Sequence, residues 1–373
     1  MAMIRRIGIA LMVMFLVGSF VVTCYAAPKD KVFRWRYTSF WPEVVSVWKA
    51  DAKLIEVLKK FSGGRLNFTH FKGGELIPPG EVWDAVQKGT VPIGGSSPIK
   101  WSGKDLAMEA LATMPAVMTP QDFAVWLWQG GGLKLWQEAY AKHGFVSFPI
   151  WACGVESGIR SNKPIRTVDD YKGLKVRLMG RVQGKIVAAL GGSQVPMSGG
   201  EVYQSLERGL IDAGEYAGPA IDWPMGFGEV TKYVCTPGWY QPATVFDCII
   251  NLKAWNSLPD DLKALFKDAA MATWFWTTTY FQNLHPDGVK KFDDKGIITT
   301  QLEPASLAKI QELSFKFMLE DCKENAAYRK IRWSQIKWLK KYKKWRSQMG
   351  PFAWNHNAPG LDEAYNALKA MME

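Results

Sequence analysis

Strand-type and helix-type segments alternate along the first part of the chain, and this alternation restricts the fold more than any other feature. Residues 32–37, 66–71 and 91–97 have the length and apolar content of strands. Between them, residues 43–61 carry apolar side chains at helical spacing, and residues 81–88 form a shorter helix. A strand–helix–strand–helix–strand order is typical of a mostly parallel sheet with helices on its faces. We therefore predict an α/β fold.

A second set of strands and helices follows the first. A helix at 121–141 and a strand at 145–151 come first, and the strands of the second set are then predicted at residues 159–162, 173–178 and 194–197, with a helix at 182–190. Residues 246–251 form a further long apolar strand that is able to return to the first set. We therefore predict two lobes, each a mixed, mostly parallel sheet flanked by helices.

Three carboxylates are concentrated in residues 209–223. Residues 210–211 have the character of a short buried strand, and Asp212, Glu215 and Asp222 surround the Gly/Pro turn that follows it. Open α/β sheets bind ligands in polar loops at the ends of buried strands. We therefore predict that Glu215 and its neighbours form one wall of a ligand cleft.

Residues 1–26 have the pattern of an export signal. Two arginines precede an apolar run at 7–22, and residues 24–26 resemble a signal peptidase site. A retained membrane anchor is the alternative, while a lipoprotein lipidated at Cys24 is disfavoured because Thr23 precedes the cysteine where Gly or Ala is usual. No second long apolar run follows, so we expect a soluble, exported mature protein.

The charge of the chain favours anionic ligands. The net charge is +11, and removal of residues 1–26 lowers it by two to +9. Such a charge attracts anions through its long-range field. The four later cysteines match no zinc-binding pattern. Cys235 and Cys248 are able to form a disulfide only if they lie on adjacent strands.

The last part of the chain, 304–345, is predicted to be helical. An aromatic and apolar stripe on one helix face consists of Ile331, Trp338, Tyr342 and Trp345. The opposite face is basic, because residues 323–346 hold ten Lys or Arg and one Glu. A basic interaction protein that binds a membrane or nucleic acid through this face is one reading. A packed helix with a solvated basic face is favoured, and we expect no nucleic-acid partner.

Three separated segments offer groups for binding a carboxylate and a cation. Arg177 lies in a predicted strand, and arginine is suited to bidentate capture of a carboxylate. Glu156 lies between two glycines and is expected on a turn, where a solvated loop acid is the alternative. Glu215 with Tyr216 is the third segment. Two carboxylates and carbonyl groups from loops suit a hard cation such as Ca²⁺ or Na⁺.

The chain lacks the usual signs of catalysis. Its four histidines have no metal-ligand spacing, and neither a Gly-X-Ser-X-Gly elbow nor a P-loop is present. We therefore expect no enzymatic activity. A metal-dependent lyase or hydrolase that uses Glu156 and Glu215 is the alternative.

Several short motifs occur in a specific order along the chain. They are GGEL at 73–76, GLKVR at 173–177, LGG at 190–192, GGEVY at 199–203, LERGLID at 206–212, EYAGP at 215–219, Tyr233, PG at 237–238 and NLKAWN at 251–256. Over roughly residues 30–345 the chain resembles the solute-binding proteins of TRAP transporters, the DctP-type family. It is most similar to the branch that binds 2-oxo acids and related hydroxy acids.

The resemblance implies a two-lobed periplasmic receptor that closes on a small organic acid and works with the membrane permease subunits of the transporter. Lobe I comprises residues 27–151 and 251–303, and lobe II comprises 152–250. Residues 304–350 are C-terminal helices, through which the branch forms homodimers. Residues 351–373 are a C-terminal extension.

The resemblance also implies a ligand site. Arg177 falls where the family's arginine grips the substrate carboxylate, and Glu215 and the carbonyl of Tyr216 fall where the branch holds a cation. Glu156 stands where the branch usually has Gln, and Gln241 lies near a position that is often acidic. This exchange preserves the charge of the site but leaves the cation, Ca²⁺ or Na⁺, undecided. The other candidates for the pocket wall are Phe40, Trp41, Ser97 and Trp239.

Overall fold

Two β-sheets organise the described part of the protein. The structure, a computed structural model, describes residues 31–348 and 360–373. The predicted signal sequence at 1–26, with Cys24, and residues 351–359 of the predicted extension lie outside the described residues. Apart from the first residue of the first strand, both sheets belong to the compact unit Arg34–Glu373.

The strands mostly coincide with the predicted ones. They are β1 Phe33–Ser39, β2 Leu66–Phe71, β3 Ile93–Ser96, β4 Phe145–Cys153, β5 Ile159–Ser161, β6 Lys175–Arg177, β7 Ser193–Gln194, β8 Ala213–Gly214, β9 Tyr233–Thr236, β10 Thr244–Asn251 and β11 Ile298–Gln301. The first sheet has the order β2-β1-β3-β10-β4 and the second has the order β11-β9-β5-β8-β6-β7. The predicted α/β fold with two sheets is therefore confirmed.

At strand β10 the chain returns from the second sheet to the first. It lies in the first sheet, antiparallel to both β3 and β4, although β5 to β9 of the second sheet precede it in sequence. All but the last of its residues are buried, as expected for an apolar strand covered on both sides. The prediction that this strand returns to the first set is confirmed. Strand β11, from the range assigned to lobe I, pairs parallel with β9 in the second sheet.

Helices cover both sheets. They are α1 Trp48–Phe61, α2 Val82–Gln87, α3 Ala107–Ala112, α4 Pro120–Trp128, α5 Gly132–Ala141, α6 Arg181–Ala189, α7 Val202–Glu207, α8 Pro219–Asp222, α9 Phe227–Val230, α10 Leu252–Asn256, α11 Asp260–Asp294, α12 Pro304–Glu324, α13 Ala326–Gln348 and α14 Leu361–Met372. Helix α11 contacts α1 and β4 of the first sheet as well as α8 beside the second. No helix in residues 31–348 or 360–373 is long and apolar enough to cross a membrane.

Two of the predicted helices are each divided into a pair. The helix predicted at 121–141 is interrupted at Gly131, whose φ of +83° is a left-handed conformation that favours glycine. The helix predicted from 304 is interrupted at Asn325, which has an extended backbone. The Asn325 side chain accepts a hydrogen bond from the amide of Tyr328 at 2.8 Å and so begins α13.

Helix α13 buries some of its basic residues. Arg332 is fully buried and donates to the carbonyl oxygen of Thr113 at 2.8 Å. Trp338 and Tyr342, by contrast, stack on each other at 4.7 Å and are half-buried, and Trp345 is 53% exposed. The predicted separation into an apolar face and a solvated basic face is therefore only partly correct.

Residues 210–211 do not form the predicted buried strand. Gly209, with a φ of +67°, ends the preceding helix, and the amide of Leu210 donates to the carbonyl oxygen of Ser205 at 2.9 Å. The Leu210 side chain is 59% exposed. The backbone hydrogen bonds of this segment thus complete the helix end, and the strand forms later, at Ala213–Gly214.

The four cysteines in the described part of the chain are buried thiols without disulfides. Cys235 lies in β9 of the second sheet and Cys248 in β10 of the first. The two residues are therefore not on adjacent strands, so the condition for a disulfide between them is not met.

Candidate functional site

A cleft lies where the chain crosses between the two sheets. The chain leaves the first sheet after β4 through residues 154–158 and returns to it before β10 through residues 237–243. These crossings carry Glu156 and Gln241. The cleft has an empty volume of about 420 Å³, including its open mouth. Its walls are formed by Trp41, Val47, Ser97, Ile99, Lys100, Glu156, Arg177, Met179, Glu215, Tyr216, Ala217, Gln241, Thr244 and Phe246.

Arg177 and Glu215 form a buried ion pair in the cleft wall. Arg177 ends β6 opposite Gly214 of the parallel strand β8, and Glu215 follows that strand directly. The parallel pairing therefore brings both residues to the same sheet edge. Arg177 Nη1 donates to Glu215 Oε1 at 2.8 Å and to the Glu215 carbonyl oxygen at 2.7 Å. Both side chains are 1% exposed, so the ion pair is almost completely desolvated.

The second carboxylate oxygen of Glu215 is not hydrogen-bonded. Oε1 also accepts from the amide of Met179 at 3.0 Å, whereas Oε2 is buried and has no hydrogen-bond partner within the described residues. Burial raises the pKa of the Glu215 carboxyl, and the positive charges of Arg177 and Lys100 oppose that rise. A buried acceptor without a donor costs about 1–3 kcal/mol. Oε2 is therefore suited to receive a cation or a ligand donor.

Glu156 is buried rather than solvated on a turn. It is 3% exposed, because the 237–243 crossing packs against it. A Cβ atom at Gly238 would lie 2.2 Å from the Glu156 carbonyl oxygen, so the absence of a side chain at Gly238 permits this approach. Burial raises the pKa of the Glu156 carboxyl well above its usual value, and the negative charges of Glu215 and Asp222 raise it further. The solvated-acid alternative is therefore wrong.

The side-chain amide of Gln241 lies against the Glu156 carboxylate. One end of the amide is 3.1 Å from both carboxylate oxygens, and the other end is 2.9 Å from the hydroxyl oxygen of Thr244. With its nitrogen towards Glu156, the amide donates two hydrogen bonds. With its oxygen towards Glu156, three acceptor oxygens converge, and either a cation or the proton of a neutral Glu156 carboxyl would be needed between them.

Lys100 is a cleft residue that sequence reasoning missed. It lies in the 3₁₀ turn Pro98–Trp101, which directly follows β3 and Ser97. Burial lowers the pKa of the Lys100 ammonium to about 8, and the charge of Arg177 also lowers it, while Glu215 and Glu156 oppose the shift. The available signal is the predicted strand at 91–97, because open α/β sheets bind ligands just beyond the ends of buried strands. Lys100 lies three residues beyond the end of that predicted strand.

Most of the other predicted site residues lie at or near the cleft. Trp41, Ser97 and Tyr216 line it. Trp41 packs against Phe246, with ring centroids 5.0 Å apart. Phe40 does not line the cleft but packs behind Trp41, with ring centroids 4.8 Å apart.

Trp239 does not reach the cleft. Its ring is 2% exposed in the core of the second sheet, and Nε1 donates to the hydroxyl of Tyr171 at 2.8 Å. The two remaining carboxylates of 209–223 are also absent from the walls. Asp212 accepts from the amide of Lys175 at 2.8 Å. Asp222 pairs with Arg160, whose Nε lies 3.2 Å from Oδ2.

The cleft does not have the ligand set of a zinc site. Within the described ranges, no three His, Cys, Asp or Glu side chains converge as metal ligands. Two carboxylates and neutral oxygens instead resemble the ligand set of a hard cation. The orphaned Oε2 of Glu215 and the oxygens around Gln241 fit such an ion.

Sequence comparison assigns the chain to a family. The profile of the bacterial extracellular solute-binding proteins, family 7 (DctP), matches residues 38–322. The chain therefore belongs to this family of solute-binding proteins.

Individual relatives are similar over most of their length. A monocarboxylate 2-oxoacid-binding periplasmic protein from Nostoc sp. is 32% identical over 325 residues, which cover 86% of each chain. A TRAP transporter solute-binding protein from Bordetella bronchiseptica, with calcium and picolinate in one site of a dimer, has a TM-score of 0.80 at 25% identity and covers 92% of this chain and 100% of its own. A TRAP periplasmic solute-binding protein from Pseudoalteromonas atlantica, with sodium and pyruvate, has a TM-score of 0.78 at 29% identity and covers 85% and 97%.

Proposed function

We propose that this protein is the periplasmic receptor of a TRAP-type importer and binds a small 2-oxo or 2-hydroxy carboxylate together with a cation. Its family membership and the ligands of its relatives support this function. The single observation that carries it is the buried Glu215 carboxylate, which is paired with Arg177 through one oxygen and lacks a partner for the other among the described residues.

Arg177 is our candidate for binding the ligand carboxylate. Nη1 directs both of its hydrogens at Glu215, and Nε and Nη2 each make one long contact of 3.4 Å with the carbonyl oxygen of Met197. One Nη2 hydrogen remains uncommitted within the described residues. Because the guanidinium is held from two sides, it loses little further freedom when a ligand binds.

The cation would be held by oxygens on both sides of the cleft. Our candidates are the carboxylates of Glu156 and Glu215, the Gln241 side-chain oxygen and the Tyr216 carbonyl. A bound cation would place positive charge against the ligand's carboxylate and its 2-oxygen. It would also compensate Glu156, whose burial with Glu215 otherwise favours protonation. Both Ca²⁺ and Na⁺ are compatible with this set.

We propose that the ligand is enclosed by hinge closure of two lobes, residues 27–151 with 251–303 and residues 152–250, except that β11 at 298–301 moves with the second lobe because it pairs with β9. Glu156 and Gln241 lie on two of the three segments that cross between the sheets, and helix α11 forms the third on its way to β11. Movement at these crossings would bring the walls together. The closed form would be the state that the permease subunits recognise. Export by residues 1–26 and dimerisation through residues 304–350 also remain proposals, and sedimentation of the purified protein tests the latter.

Calorimetric titration of the purified protein with pyruvate and 2-oxopentanoate, in Ca²⁺, in Na⁺ and after chelation, tests this function. We expect saturable binding that chelation weakens. Arg177→Met should reduce the affinity by about 2–5 kcal/mol, because a buried charge is left without its partner. The matched control is Arg208→Met, at an exposed position outside the cleft. Absence of binding to any 2-oxo or 2-hydroxy acid under all cation conditions would overturn the proposal.

NMR spectroscopy of the acid after incubation with the protein tests the alternative enzymatic function. A receptor returns its ligand unchanged, so the NMR spectrum of the acid should not change after prolonged incubation with the loaded protein. Conversion that depends on both Glu156 and Glu215 would instead favour a metal-dependent lyase or hydrolase.

A further inference from the structure

The Lys100 ammonium is held beside the cleft by aromatic rings. Its Nζ lies 5.5 Å from the ring centroid of Phe40 and 5.8 Å from that of Trp41, close enough for cation–π attraction. The side chain is half-buried and lines the cleft. Within residues 31–348 and 360–373, no carboxylate lies within 4.0 Å of it to form an ion pair. Lys100 is therefore a positioned cation without a paired anion.

The charges in the cleft balance only when Lys100 is included. Lys100 and Arg177 are positive, Glu156 and Glu215 are negative, and no other wall residue carries a charge. Burial raises the pKa of the Tyr216 phenol, so that side chain stays neutral. The ionised wall is thus neutral, and the charge of a bound cation must be balanced by the ligand, because buried net charge is costly.

A divalent cation in this neutral wall would require a ligand with two negative charges. Without Lys100, the wall would carry one negative charge, and a monocarboxylate would balance the same cation. With a divalent cation, Lys100 therefore adds one positive charge beyond what a monocarboxylate site needs, whereas with Na⁺ the neutral wall would already balance a monocarboxylate. Lys100 and Arg177 also belong to different sheets, since Lys100 follows β3 of the first sheet and Arg177 ends β6 of the second.

We propose that Lys100 is a specificity-determining residue that binds a second anionic group of the ligand, so that the preferred ligand is a 2-oxo or 2-hydroxy acid with two carboxylates. Arg177 and the cation would engage the carboxylate next to the 2-oxygen, and Lys100 would engage the distal one. This inference rests on the proposed function of the cleft.

A competing role for Lys100 is compensation of the Glu156 charge. In that case Lys100 would act on the cleft through Glu156 and would influence every ligand equally. A role in direct recognition, by contrast, affects only ligands that carry the second anionic group. Two ligands that share a carbon skeleton therefore separate these roles.

Calorimetric titration with 2-oxoglutarate and 2-oxopentanoate provides this comparison, because the two acids differ only in the distal carboxylate. In Ca²⁺, we expect the protein to bind 2-oxoglutarate at least about tenfold more tightly. Lys100→Met should weaken 2-oxoglutarate binding by about 10- to 100-fold, and it should leave 2-oxopentanoate binding unchanged or make it tighter, because the wall of this variant carries one negative charge. Lys100→Arg should keep the preference, since it keeps the charge.

Lys104→Met is the matched control. Lys104 lies close by in sequence but pairs with Asp84 at 2.8 Å, and it does not line the cleft. We expect this variant to behave like the unaltered protein. Thermal unfolding of each variant, measured without ligand, shows whether the fold is retained.

The outcomes separate the two proposals. Binding of 2-oxopentanoate with equal or higher affinity than 2-oxoglutarate overturns the role of Lys100 and leaves the receptor function intact. An equal loss for both acids in Lys100→Met also overturns it and assigns Lys100 to compensation of Glu156. Binding of neither acid, nor of any related acid, under any cation condition overturns the proposed function itself.

Discussion

The Arg177 guanidinium donates through a single nitrogen to both the side-chain and the main-chain oxygen of Glu215, at 2.8 and 2.7 Å. This double contact ties the end of β6 to the residue that follows β8. It leaves Glu215 Oε2 without a hydrogen-bond partner in the described part of the chain. The contact therefore holds the end of β6 against the residue that follows β8, and it leaves one acceptor of a cleft-lining side chain unused.

Glu215→Gln should weaken both the fold and ligand binding. Loss of one partner from a buried ion pair costs about 3–5 kcal/mol, although the amide oxygen of Gln is still able to accept from Arg177. We therefore expect the free energy of unfolding to fall by less than this range, with a larger loss of Ca²⁺-dependent affinity. Urea unfolding and calorimetric titration measure the two effects.

Glu229→Gln is the control for this substitution, because Glu229 is 56% exposed in a surface ion pair with Lys295. Surface pairs contribute about 0–1 kcal/mol. If Glu215→Gln and Glu229→Gln had the same small effect on both measurements, Glu215 would have no special role in the cleft.

Gly199→Ala should disturb the cleft through Tyr216. A Cβ atom at Gly199 would lie 1.9 Å from Cε2 of the Tyr216 ring, so the ring must move. The Tyr216 ring centroid lies 6.0 Å from the Arg177 guanidinium carbon, and its displacement should alter the wall next to that group. We expect a loss of about 1–3 kcal/mol in unfolding free energy and weaker acid binding.

The neighbouring glycine provides the control. A Cβ atom at Gly200 would meet no atom within 4 Å, so Gly200→Ala should leave acid affinity unchanged. Equal affinities of the two alanine variants would show that the packing of Tyr216 against Gly199 does not affect the ligand.

Acid binding should weaken in alkaline solution because of Lys100. Its pKa is lowered to about 8, mainly by burial, so the ammonium is charged below this pH and loses its proton above it. An anion binds the charged form, and the dissociation constant for 2-oxoglutarate should therefore rise between about pH 8 and pH 9.5, by up to about tenfold per pH unit. Below this pKa, Lys100 stays charged, and the titration of this group should cause almost no change of affinity with pH.

Lys100→Arg separates this effect from other titrations, since arginine stays charged throughout the range. Calorimetric titration at a series of pH values should show a dissociation constant for 2-oxoglutarate that does not change with pH in Lys100→Arg, and 2-oxopentanoate should show no loss of affinity as the pH rises. If the dissociation constant for 2-oxoglutarate rose equally with pH in the unaltered protein and in Lys100→Arg, the assignment of the pH dependence to Lys100 would be contradicted.

Local patterns in the sequence were sufficient for much of the fold. The mostly apolar strand at 246–251 is able, on its sequence pattern, to return to the first sheet, and β10 does so, because such a strand is most stable when both of its faces are covered. Residues 210–211 were assigned wrongly because their apolar character gave no information about the helix end at Gly209, which uses their backbone hydrogen bonds.

The set of residues that line the cleft is harder to predict from the sequence than the fold. The sequence indicates Arg177 and Glu215 as candidates because one lies in a predicted strand and the other beside a Gly/Pro turn, but only the pairing of β6 with β8 brings them into contact. Trp239 follows a similar turn and yet packs into the core. A turn pattern indicates that the chain reverses and does not indicate which side of the sheet receives the side chain.

The sequence by itself determined the alternation of strands and helices. It also determined which carboxylate and arginine side chains are candidates for ligand binding, because both depend on periodicity and residue chemistry within short segments. The tertiary structure alone decided that Glu156 is buried and that Lys100 faces the same cleft as Arg177. The physical reason is that desolvation and charge balance arise from groups on different strands, and their distances exist only after the chain has crossed between the two sheets.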